Sequence, residues 1–76
     1  MTATKKTAAA LANFAKAYRS YAEVIGVAGD INVAVQYATQ DMFNQIKNIT
    51  DAATAIATIE DEALYLRETI AKKAAA

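Results

Sequence analysis

The segment NITDAATAIATIEDEALYLRETI, residues 48–70, decides how this chain folds. Ile49, Ile56, Ile59, Ala63, Leu66 and Ile70 recur at spacings of seven, three and four, which place them on one side of an α-helix. A stripe of that kind has to be covered, by the same chain or by another one. Which of the two covers it depends on whether residues 48–51 continue a helix or break it.

Upstream, a seven-residue frame with Leu11 at position a puts Leu11, Tyr18 and Ile25 at a and Phe14 and Tyr21 at d. These five residues are expected to pack a first helix, over about 5–26, against the rest of the chain. Ala8, Ala15 and Ala22 lie beside that face at e, where small side chains let an antiparallel neighbour approach closely. The stretch Gly26-Val27-Ala28-Gly29-Asp30 then reads as a turn over 26–30. Gly26 and Gly29 tolerate a left-handed helix cap, and Asp30 is a suitable N-cap for the following helix.

From about Ile31 the frame runs without a slip, with Val35, Met42, Ile49, Ile56, Ala63 and Ile70 at a. Ala38, Gln45, Ala52, Ile59 and Leu66 take d, Gln45 being the one polar residue there and a candidate for fixing register. Unbroken phase favours one helix over about 31–73, roughly 60 Å long. Its apolar surface is also broad, with Phe43, Ala57, Leu64 and Ala71 at b and Ile46 and Ala53 at e. Against continuity, Asn48, Thr50 and Asp51 are weak helix formers, and Thr50 or Asp51 is a possible N-cap.

The continuous path predicts a single all-α domain over 1–76. It would be an antiparallel helical hairpin with a long second helix, associating with other copies into a helical bundle. Val35, Met42, Ile49, Ile56, Ile59, Ala63, Leu66 and Ile70 would form the interaction interface between chains. A break at 48–51 predicts instead an up-down-up three-helix bundle that covers its own stripe.

Composition narrows function more than it names it. The chain has 76 residues, no Cys, His or Pro, and about a quarter of it is alanine. The absence of thiols and imidazoles removes the usual zinc ligands and the commonest nucleophiles and bases, so neither catalysis, cofactor nor metal is expected. The run Glu60-Asp61-Glu62 points in different directions on a helix and reads as a solvated face. Lys16, Tyr18, Arg19 and Tyr21 combine the residue types that grip nucleic acid, but both tyrosines sit on the core seam. With a formal net charge of zero, nucleic-acid binding is not expected. No apolar run is long enough for a transmembrane segment. The N-terminal stretch reads as an amphipathic helix and not as a signal peptide, which favours the cytoplasm or an assembled particle over signal-directed secretion.

Charge is laid out unevenly. Lys5, Lys6, Lys16 and Arg19 precede the first acid, the middle is acidic, and Arg67, Lys72 and Lys73 return the end to basic. That layout suits head-to-tail or antiparallel pairing. Two functions follow as expectations. One is a self-associating structural subunit of a virion component, filament, ring or scaffold, partnered by its own copies or by other subunits. The other is a small helical adaptor or regulatory module that docks a helix of another protein.

Overall fold

The computed structural model describes residues 5–75, which form three helices and no strand. Helix α1 spans Lys5–Ile25, α2 spans Ile31–Ile46 and α3 spans Ala52–Ala75. The all-α reading holds, and the chain takes the broken path: the long second helix expected from the register is two helices joined by a corner. The described residues extend 39 × 25 × 17 Å, too short for a helix of about 60 Å.

The first connection is built as its residues suggest. Gly26 adopts φ 75° and its N–H donates to the carbonyl of Ala22 at 2.9 Å, closing α1 with a left-handed cap. Gly29 adopts φ 89°, and Asp30 then caps α2, its Oδ1 accepting the N–H of Asn32 at 2.8 Å. Arg19 donates from Nη2 to Oδ1 of Asn32 and ties the end of α1 to the first turn of α2.

The second connection uses neither glycine nor positive φ. After Ile46 the chain winds on, with the N–H of Lys47 donating to Phe43 and that of Ile49 to Ile46, each at 2.9 Å. Helical winding therefore persists almost to Thr50. At Asp51 it restarts: the carbonyl of Asp51 accepts the N–H of Ala55 at 3.0 Å, and its carboxylate accepts the Thr54 hydroxyl at 2.6 Å. The N–H groups of Ala53 and Thr54 also reach that carboxylate. Asp51 thus satisfies donors that a continuous helix would have bonded to preceding carbonyls.

Both later helices lie on α1. Residues near the start of α1 and of α3 share one groove, and residues near their ends share the next, so the two run parallel with α2 antiparallel. α2 and α3 meet little beyond the corner. The core gathers Phe14, Met42, Ile46, Ile59, Leu66 and several alanines, with Leu11, Tyr18, Tyr21, Ala38, Ile49 and Ile56 packed around it. Phe14, Tyr18 and Tyr21 form a tilted aromatic row along α1, with ring centroids 6.2 and 5.7 Å apart.

The cause of the fold-back can be weighed. Asn48, Thr50 and Asp51 together disfavour helix by about 1.5–2 kcal/mol relative to alanine. Covering Ile59 and Leu66 is worth about 1.5–3 kcal/mol for each side chain, with the alanines beside them adding more. Burial against α1 therefore outweighs local propensity. The polar residues choose where the chain turns, and the stripe supplies the reason to turn.

Candidate interaction surface

The residues expected to face another chain mostly face this one. Val35, Met42, Ile59, Ala63 and Leu66 are buried, while Ile49, Ile56 and Ile70 are half-buried. The stripe closes against α1, because the corner at 47–51 brings it back, and it is no longer available as a surface between chains. Of the intrachain set, Phe14 is buried and Leu11, Tyr18 and Tyr21 pack on the core, as their register implies. Ile25 does not, since it is the last residue of α1 and lies outside the core, 39 % exposed. Ala22 is fully buried and Ala15 half-buried, but Ala8 is exposed.

Gln45 is exposed, so it does not sit in a seam and fixes no register there. A straight helix drifts about 20° per heptad from a seven-residue repeat. Along α2 that drift brings Ile46 into the core, where it is 0 % exposed, and turns Gln45 outward.

What remains on the surface is a second set of apolar side chains. Val33, Tyr37 and Phe43 on α2 and Leu64 and Tyr65 on α3 are all substantially exposed. Leu64 belongs to a pattern, and Tyr65 stands beside it. Ala53, Ala57, Glu60, Leu64, Arg67 and Ala71 alternate in steps of four and three, the spacing of a coiled-coil seam, and every one of them is exposed or nearly so. Leu64, 52 % exposed, is the only large apolar member. Sequence reasoning noticed Ala57, Leu64 and Ala71 as unusual breadth but gave them no role. The stronger buried stripe on another side of the same helix dominated the pattern.

Beside this seam runs a shallow groove between α1 and α3, in two adjoining parts that share Asn13. One part, about 400 Å³, is lined by Asn13, Lys16, Ala17, Ser20, Arg67 and Ile70. The other, about 310 Å³, is lined by Lys6, Ala9, Ala10, Asn13, Ile56 and Glu60. A further depression of about 440 Å³ on α2 is lined by Val35, Gln36, Thr39 and Gln40. The first two hold the charge: two cations without a carboxylate at the Arg67 end, and one of each sign at the Glu60 end.

Among the described residues no group of three His, Cys, Asp or Glu side chains is placed to hold a metal ion. No described helix is long and apolar enough to cross a membrane. Among the described residues the one carboxyl with a clear shift is Asp51. The Thr54 hydroxyl holds it below the ordinary carboxylate value, opposed by desolvation and helped by the N–H groups of Ala53 and Thr54. That is the signature of a helix cap.

Comparison with protein-family models, curated proteins and solved structures gives no significant match.

Proposed function

We propose that this chain is a non-catalytic interaction module, an adaptor that binds a helix along the outer face of α3. One observation carries the reading. Once the chain has closed its core it still presents a four-three seam centred on Leu64, with a groove beside it. Such a seam suits a second helix laid along it by knobs-into-holes packing.

The chain path also bears on the choice between the two expected functions. A hairpin with an overhanging stripe needs other subunits in order to fold. A chain that covers its own stripe does not, and partner binding becomes its task instead of a condition for its stability. Charge and small side chains along the seam suit reversible docking more than a permanent hydrophobic interface.

A photo-crosslinking side chain at position 64, compared with one at Asn44 on the outer side of α2, tests this in cells that make the protein. A discrete adduct from position 64 that position 44 does not give is expected. Equal, diffuse labelling from both positions, or none from either, would contradict a docking face on α3.

A further inference from the structure

Resting on that reading, we infer that the helix docked on this face is α3 of a second copy of the chain. It runs antiparallel about a twofold axis close to Leu64. Among the described residues, Lys16, Glu60 and Arg67 line the α1/α3 groove and form no ion pair within the chain. Glu60 and Arg67 are seven residues apart on α3, about 10.5 Å along the axis, with Leu64 between them.

Orientation follows from these charges. A parallel neighbour would set Glu60 beside Glu60 and Arg67 beside Arg67 with Lys16 near, like charge against like. An antiparallel neighbour places the Glu60 of each copy at the groove end that holds two cations, Lys16 and Arg67, of the other. Both contacts arise from one twofold operation, so the surface is self-complementary in the sense an isologous dimer requires. Glu60, Asp61 and Glu62 lie in the middle of α3, with Arg67, Lys72 and Lys73 toward its end. About an axis near Leu64 the acids at 60–62 fall opposite residues 65–68, where Arg67 is the cation and Glu68 an acid, while Lys72 and Lys73 lie beyond them. The orientation therefore rests on the Glu60 and Arg67 contacts. Ala53, Ala57 and Ala71 flank Leu64 with side chains small enough to let the two helices approach closely.

Charge reversal at two exposed positions tests this without touching the core. Light scattering over a concentration series to about 1 mM is compared for the wild type, Glu60→Arg, Arg67→Glu and the double variant. The wild type should form a dimer, and each single reversal should weaken it about tenfold or more. The double reversal should restore part of the loss, since positions 60 and 67 again meet with opposite charges while Lys16 is unchanged, and that rescue also excludes misfolding. A dimer that neither single reversal weakens would overturn the assigned interface. A wild type that stays monomeric throughout would overturn self-pairing, yet a position-64 crosslink to a different protein would leave the adaptor reading standing.

Discussion

The two corners of this molecule reverse the chain by different means. At Gly26–Asp30 the backbone enters the left-handed region twice, at φ 75° and 89°, and only glycine does so without strain. At Lys47–Asp51 no residue has positive φ; the helix simply unwinds, and a carboxylate side chain restarts it. The first corner is dictated locally, by residue types that refuse a helix. The second is permitted locally and decided at a distance, by what the following helix buries.

That contrast sets the order of the expected effects, beginning with the burial that decides the second corner. Ile59 is 0 % exposed and belongs to the core that α3 shares with α1 and α2. Ile59→Asp should cost several kcal/mol, most or all of the stability of so small a domain. Circular dichroism should find it largely unfolded at 25 °C, and a native-like melt would mean that the fold does not depend on docking α3.

Next come the glycines. Neither would bring a new Cβ within 4 Å of another atom, so Gly26→Ala or Gly29→Ala tests backbone strain alone. Each should cost about 1–2 kcal/mol, read from denaturant midpoints. Asp30→Ala should cost about 1 kcal/mol by removing the cap on α2. No loss from either glycine change would mean that the first corner is held by packing too, and the contrast would fail.

The smallest effect belongs to Asp51, and it depends on pH. Its folded pKa is lowered, so its contribution is complete above the ordinary carboxylate value near 4 and fades as pH falls through the lower folded value. Asp51→Asn should flatten that acid limb in a melting-temperature profile while changing little at pH 7. An unchanged limb would show that the carboxylate is not what restarts the helix.

These differences also explain what could be read from the sequence. The all-α class, the first turn and the apolar face of α1 were legible because alanine content, glycines and Asp30 act through local chemistry. The second corner was not. Phase records which residues face α1, and it survives a corner at which Ile49 still packs on the core. An unbroken heptad frame from Val35 to Ile70 is therefore compatible with one helix or with two folded on the same neighbour. The seam around Leu64 was harder still, being mostly alanine and charge, types that sit on any solvated helix. Only the structure separates it from the buried stripe on the same helix.

The corner at 47–51 is best tested by distance, in a variant carrying spin labels at Ser20 and Ala71, both exposed, diluted with unlabelled chains. Ser20 lines the same groove as Ile70, so the labels should lie on the order of 15 Å apart, as for neighbouring packed helices. Replacing Asn48, Thr50 and Asp51 together with alanine should leave that distance short, because burial outweighs the propensity gained. A separation of about 50 Å, the value for a helix continuous from Ile31 at 1.5 Å per residue, would contradict the fold-back.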